Sequence, residues 1–214
     1  MNQLVLPLRP TPRRGRGGAR KGAGRPAIVG SESHRRRTRV SPEVPQHVTL
    51  RVAEGVWNLR AERCFAPIRR AFVGAQRAAA FRVVHYSVQG NHLHLVVEAD
   101  DHASFVFGLR SLTVRLARSL NRVMGRQGRV LAGRTHARAL RTPTEVRNVL
   151  RYVLLNRARH FGGEPIVDEC STGPWFADWH SLKGPVPRAG PPAPERVDGV
   201  PKTWLLRVGY RRAR

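Results

Sequence analysis

Gly90-Asn91-His92-Leu93-His94-Leu95-Val96-Val97 reads as a turn followed by an extended apolar run that two histidines interrupt. The run predicts a β-strand, and alternate side chains of a strand project from the same face. His92 and His94 therefore share one face, while Leu93 and Leu95 share the other, which predicts a packed back. Two imidazoles side by side on a strand form half of a site for a divalent metal ion, although a structural or surface pair has the same pattern.

The segments around this stretch extend the prediction to a sheet. Residues 81–88 form a second apolar run, and the Gly90-Asn91 turn joins it to the histidine strand as a hairpin. Apolar and polar residues alternate from His47 to residue 52, which predicts another strand. Residues 130–140 predict a short fourth strand.

Three further segments predict helices. Residues 57–77 and 104–124 repeat apolar side chains at helical spacing. A third helix, residues 142–160, has a clear start, because Thr142 can cap it, Pro143 suits its first turn and Glu145 completes a capping box. The order strand, helix, strand, strand, helix, strand, helix predicts an α+β fold, a ferredoxin-like antiparallel sheet with helices packed on one face.

The chain is strongly basic. Its 214 residues include 39 Lys and Arg against 14 acidic residues, a formal net charge of +25. This charge favours a polyanionic partner, and nucleic acid fits because arginine, by far the commoner of the two cations, pairs bidentately with phosphate. A generally basic surface without such a partner is the alternative.

Composition divides the chain into three parts. Residues 1–46 are predicted to form a disordered basic arm, residues 47–163 a folded domain, and residues 164–214 an aromatic C-terminal extension with a Pro/Gly-rich linker. Within the arm, residues 21–26 are similar to an AT-hook core, and a plain phosphate-binding tail is the alternative. Trp175, Phe176 and Trp179 pack on the domain or stack on bases.

The expected cellular compartment follows from the lack of a membrane span and of a signal peptide in the sequence. No segment has the length and hydropathy of a membrane span, and the N-terminus has no apolar signal core. We therefore expect a cytoplasmic protein, with no membrane partner, in which Cys64 and Cys170 stay reduced.

A second group of chemistry-bearing residues lies on the third predicted helix. Asn148, Tyr152 and Asn156 are four residues apart and share its more polar face. If this helix packs against the histidine-bearing face of the sheet, a phenol and an amide converge on the histidine pair. Taken singly, a helical tyrosine is usually a packing residue.

These residues together resemble the single-tyrosine HUH transposases, which include the insertion-sequence-200-like and REP-associated tyrosine transposases. Residues 91–95 resemble the Asn-His-Val-His-Leu signature, and residues 151–156 resemble the Tyr-Ile-x-x-Asn segment. The resemblance covers about residues 47–162, which makes residues 47–163 an HUH-like catalytic domain. Gly90 and Arg157 depart from it, because members often have proline at those two places.

The resemblance implies a mechanism. His92, His94 and Asn156 would hold Mg²⁺ or Mn²⁺, and Tyr152 would be the nucleophile. The reaction would nick single-stranded or hairpin DNA and transfer the strand through a 5′-phosphotyrosine intermediate. It also implies a bacterial, nucleoid-associated protein. It leaves open whether the protein is a monomer or, as in dimeric relatives, a homodimer.

Basic residues along the chain are the candidate DNA contacts. The arginines predicted to bind nucleic acid are Arg25, Arg35, Arg36, Arg37, Arg115, Arg118, Arg122, Arg134, Arg138 and Arg151. His136 is at most a further DNA contact, and His85 and Tyr86 receive no role.

Two other classes of function stay open at this stage. A non-catalytic, domesticated DNA- or RNA-binding protein of the same fold explains the charge, although an RNA-binding sheet of the RRM kind favours exposed aromatics where His92 and His94 stand. A structural basic protein, such as a ribosomal component, explains the charge but neither the histidine pair nor the Tyr152 helix.

Overall fold

The computed structural model describes residues 39–77, 79–156, 165–190 and 195–213. The predictions for most of the basic arm, including its AT-hook-like segment and Arg25, Arg35, Arg36 and Arg37, lie outside the described residues. The predicted end of the third helix, with Gly162 and Gly163, also lies outside them.

Four strands and four α-helices make up the described fold. The strands are β1 (Gln46–Val52), β2 (Phe81–Val88), β3 (His92–Ala99) and β4 (Leu131–Ala139). The helices are α1 (Glu62–Ala75), α2 (His102–Val123), α3 (Pro143–Leu154) and the short α4 (Trp204–Arg207). Single 3₁₀ turns form at Gly173–Trp175, Trp179–Leu182 and Gly209–Arg212.

The strands form one sheet in the order β2-β3-β1-β4, with every neighbouring pair antiparallel. With α1 and α2 as the two crossovers, this is the ferredoxin-like arrangement, so the predicted α+β class is confirmed. β1 lies between β3 and β4, and Thr49 pairs with both His94 and His136. This register places residues of all three strands in one row across the sheet.

The two faces of the sheet carry different layers. Leu93 and Leu95 belong to a large core with α1 and α2, whereas Val84 and Val96 belong to a second core with α3 and the C-terminal segments. The prediction of helices on one face holds for α1 and α2. α3 packs on the opposite face, because its own apolar stripe needs cover and α1 and α2 already fill the first face.

Local signals account for the ends of the helices. Thr142 and Glu145 form the predicted capping box at the start of α3, which spans Pro143–Leu154 with Leu155 as its C-cap. α1 begins at Glu62 instead of near residue 57, because Leu59 is buried and its N–H donates to the carbonyl of Gly90. That bond turns the chain before the helix can start.

The C-terminal segments are tied to the sheet by buried polar groups. The Glu98 carboxylate accepts hydrogen bonds from the backbone N–H groups of Lys202 and Thr203 and from the Thr203 hydroxyl, at 2.7–3.0 Å. Arg60 forms a bidentate pair with buried Asp168, with both N···O distances at 2.7 Å. The C-terminal extension is therefore part of the packed structure.

The aromatic cluster also packs on the domain. The Phe176 and Trp179 rings meet edge to face at 5.0 Å between centroids, and both side chains pack against the α3 core. This agrees with the packing interpretation of that segment. In the described part of the chain, no helix combines the length and apolar character that crossing a bilayer requires.

Candidate active site

The histidine pair lies on β3 and faces α3. The ring centroids of His92 and His94 are 4.7 Å apart at an interplanar angle of 85°. His94 is only 5 % exposed, whereas His92 is partly exposed at the start of the strand. The pair therefore has one nitrogen-bearing ring inside the sheet–helix interface and one at its open edge.

Tyr152 reaches this pair from α3. Its Oη lies 3.2 Å from Nε2 of His94, and the two ring centroids are 4.9 Å apart at 79°. The apolar stripe of α3 fixes this position, because Val149, Leu150 and Val153 are packed in the second core and turn Tyr152 toward β3. The phenol and the imidazole predicted to converge do so.

Tyr152 differs in this respect from the other two tyrosines of the chain. Tyr86 is completely buried in the core with α1, its ring 4.8 Å from that of Phe72. Tyr210 donates its hydroxyl to Asp178 at 2.7 Å, in the C-terminal segment.

Two residues of β1 contact the other nitrogen of His94. His47 Nε2 and Thr49 Oγ1 each lie 3.3 Å from His94 Nδ1. Sequence reasoning did not assign them a role, although the alternation of β1 places both on one face. The pairing of β1 with β3, which brings Thr49 opposite His94, could not be predicted from the sequence pattern.

The environment of His47 keeps its imidazole neutral. Burial, aided by the nearby charges of Arg138 and His136, lowers the pKa of His47 to about 4. A neutral imidazole has one N–H and one lone pair, so it can accept a hydrogen bond from the ring of His94.

Both histidines of the pair are contacted through Nδ1 by polar neighbours. His92 Nδ1 lies 2.7 Å from Oδ1 of Asn91. His94 Nδ1 lies 3.3 Å from both His47 Nε2 and Thr49 Oγ1. Ligand histidines in metal sites usually have one ring nitrogen held by such a partner while the other binds the ion. Nε2 is therefore the candidate ligand atom of both rings.

Asn156 lies just beyond the Leu155 C-cap of α3, one turn after Tyr152. The residue is 1 % exposed, and neither its amide nitrogen nor its amide oxygen has a hydrogen-bond partner among the described residues. Buried amides without partners are costly and uncommon in folded proteins. An amide oxygen is the type of ligand that Mg²⁺ and Mn²⁺ take, whereas imidazole is a ligand of several first-row metals.

Another cluster of possible ligands has a structural role. Among the described residues, Asp168, Glu169 and Cys170 are the only His, Cys, Asp or Glu group of three that is close enough to share an ion. The Asp168 carboxylate is already paired with Arg60, which also reaches Glu169 at 3.3 Å. This cluster joins the C-terminal segment to the loop before α1.

The predicted DNA-contacting arginines divide between the two faces. Arg138 lies opposite His47 in the β1–β4 pairing and is exposed, 3.7 Å from the carboxylate of Glu145, and Arg134 is exposed on the same strand. Arg151 is exposed on α3 and donates to the Lys183 carbonyl. Arg115, Arg118 and Arg122 are exposed on α2, across the sheet from the histidines.

Comparisons with known proteins support the fold. The chain is similar to a solved structure of a REP-associated tyrosine transposase bound to a REP hairpin, with a TM-score of 0.56 and 16 % sequence identity. The match covers 80 % of this chain and 100 % of that one. No family model and no curated protein matches the sequence. At this identity the likeness is one of fold.

Proposed function

We propose that this protein nicks single-stranded DNA and transfers the strand, with Tyr152 as the nucleophile. The observation that carries the proposal is the 3.2 Å approach of the Tyr152 hydroxyl to Nε2 of His94, which is one member of the histidine pair on β3. A phenol packed on a helix has no structural need for two neighbouring imidazoles. A nucleophile that acts beside a metal ion does need such imidazoles, because they would hold the ion.

His92, His94 and Asn156 are the residues that would hold a divalent ion. Their donor set is two imidazole nitrogens and one amide oxygen, and the buried Asn156 amide lacks any other partner among the described residues. When bound, Mg²⁺ or Mn²⁺ would polarise the scissile phosphate and stabilise the charge that develops on it.

The covalent step balances without an added energy source. Tyr152 Oη loses its proton to solvent and forms a bond to phosphorus, and the bond from phosphorus to the 3′ oxygen breaks. That oxygen takes up a proton and becomes a free 3′-hydroxyl. The phosphodiester is conserved as a 5′-phosphotyrosine, so a second 3′-hydroxyl can reverse the step and join the strand elsewhere.

DNA as the substrate is supported by charge and by fold. The chain carries a net charge of +25, and the exposed Arg134 and Arg138 lie on β4, in the sheet that carries the histidines. The protein of similar fold is bound to a hairpin in its structure. We extend hairpin binding to this chain and propose hairpin or single-stranded DNA as its substrate.

A trapping experiment tests the proposal. Labelled hairpin DNA with single-stranded flanks is incubated with the protein and Mn²⁺, then separated under denaturing conditions. We expect a covalent protein–DNA adduct and a product with a free 3′-hydroxyl, both lost on chelation and in Tyr152→Phe. Binding without any adduct across a library of flanks would instead support the non-catalytic DNA-binding alternative.

A further inference from the structure

A groove runs between α1 and α2, on the face of the sheet opposite the histidine pair. Two adjoining cavities of about 380 and 430 Å³ share Ser111 and Arg115, and so form one continuous depression. It follows α2 from Ser104 to Ser119, about 22 Å at the helical rise per residue. The groove is therefore long enough for several nucleotides of one strand.

The groove has a strongly positive lining. Four arginines line it: Arg70, Arg77, Arg115 and Arg118. Among the described residues, no carboxylate lines it. None of the four forms an ion pair with a described carboxylate. Four guanidinium groups along one groove, with no carboxylate among the described residues to pair with them, attract a polyanion.

Arg115 is held at the junction of the two cavities. Its Nε donates to the Ser111 hydroxyl at 3.2 Å, and a Cβ built on Gly74 would lie 2.7 Å from its Nη1. The absence of a side chain on Gly74 thus lets the guanidinium group lie against α1. This arrangement places one positive charge where the two cavities meet.

Phe107 supplies the feature that separates this groove from a merely basic surface. It is 67 % exposed and lines the smaller cavity together with Arg77 and Arg115. Phe81 closes the floor, and it packs so tightly on Gly108 that a Cβ there would overlap its ring. An exposed aromatic ring between arginines is the combination on which unpaired bases stack while their phosphates are neutralised.

We infer that this groove is a second DNA-binding site, specific for single strands. Phe107 stacks on one base, and the four arginines pair with the phosphates on either side. In a duplex the bases are stacked inside the helix and cannot reach the cavity beside Phe107. The groove needs neither a metal ion nor Tyr152, so it stands or falls separately from the proposed nicking reaction.

Fluorescence anisotropy with a short labelled oligothymidylate, and with its duplex, tests the inference. The full chain carrying Tyr152→Phe is used in the presence of a chelator, so that binding is measured without cleavage. Phe107→Ala and Arg115→Gln remove the groove contacts. Their matched controls are Val106→Ala and Arg110→Gln, which are exposed on the same helix and do not line either cavity.

We expect Phe107→Ala to weaken single-strand binding at least about fivefold, the lower end of what loss of one stacked base costs, and to leave duplex binding unchanged. Arg115→Gln should lower the slope of log affinity against log salt by about 0.7, the value for one phosphate contact on a single strand. If Phe107→Ala binds single strands as Val106→Ala does, the inference is wrong.

Cross-linking gives an independent readout that needs no variant. An oligothymidylate containing 5-iododeoxyuridine is irradiated with the Tyr152→Phe protein, and tandem mass spectrometry locates the cross-linked residue. A cross-link at Phe107 supports the groove. Cross-links confined to the basic arm or to the histidine face overturn it, whatever the outcome of the nicking assay.

Discussion

His94 is the residue on which the candidate site depends, because both of its ring nitrogens are engaged. Nδ1 faces His47 and Thr49 on β1, and Nε2 faces the hydroxyl of Tyr152 on α3. A partner on Nδ1 selects the tautomer and orientation in which Nε2 can bind an ion. His47 is thus a positioning residue that acts through His94.

Removing the polar contact of His47 should weaken metal binding. We expect His47→Leu to lower the affinity for Mn²⁺ by roughly 10- to 100-fold, as loss of such supporting contacts does, and His47→Gln to retain most of it. Titration calorimetry of the DNA-free protein measures the affinity, with the exposed His180→Gln as control. An unchanged affinity in a folded His47→Leu protein would show that His47 does not support the site.

Substitution of Asn156 should raise the stability of the metal-free protein and remove its stabilisation by Mn²⁺. Its buried amide has no described partner, so Asn156→Leu should raise the free energy of unfolding of the metal-free protein by about 1 kcal/mol. The same change should abolish the stabilisation that Mn²⁺ gives the parent protein. Denaturant melts with and without Mn²⁺ measure both effects. Equal stabilisation of both proteins by Mn²⁺ would remove Asn156 from the ligand set.

At the scale of elements, the position of α3 determines whether a site exists at all. Its start could be predicted, because the capping box of Thr142 and Glu145 is a local signal. The pair on β3 could be predicted too, since strand alternation is local. The placement of α3 on the histidine face, and of β1 beside β3, depends on contacts between distant segments, which a periodic pattern does not encode. For the same reason the role of His47 could not be foreseen.

The C-terminal segment is fixed to β3 by one carboxylate, and its attachment can be tested. Glu98→Gln replaces a carboxylate that accepts three hydrogen bonds from Lys202 and Thr203 and one from Arg82. The new side chain is a neutral amide whose NH₂ group faces backbone donors. We expect a loss of about 1–3 kcal/mol in the free energy of unfolding and faster hydrogen exchange at residues 203–210. The exposed Glu43→Gln is the control. Unchanged exchange would mean that the other contacts of the segment, such as the Lys202–Asp100 ion pair and the Tyr210–Asp178 hydrogen bond, hold it without Glu98.

At the scale of the whole molecule, burial of histidines couples folding to pH. Burial, with a smaller contribution from the charge of Arg196, lowers the pKa of His85 to about 4, and the ring lies under the C-terminal segment against Thr172 and Phe176. Below about pH 6.5 the unfolded chain takes up a proton that the folded chain does not. Stability contributed by His85 is therefore full above pH 6.5 and falls as the pH drops toward 4.

This dependence can be assigned to His85 by substitution. His85→Asn keeps a polar atom near the Thr172 hydroxyl but does not titrate, so the fall of the urea midpoint between pH 6.5 and 5 should become shallower than in the parent protein. The remaining fall includes the contribution of His47, whose pKa is also lowered to about 4. An identical pH profile for His85→Asn and the parent would contradict the burial of this ring.

The most direct test of the central claim is the identity of the residue that becomes attached to DNA. The covalent adduct formed with Mn²⁺ is digested with trypsin and nuclease and analysed by mass spectrometry. Cleavage after Arg151 and Arg157 releases residues 152–157 as one peptide. We predict that this peptide carries the 5′-phosphate of the nicked strand on Tyr152. A nucleotide found instead on Tyr86 or Tyr210, or on no tyrosine, would contradict the account.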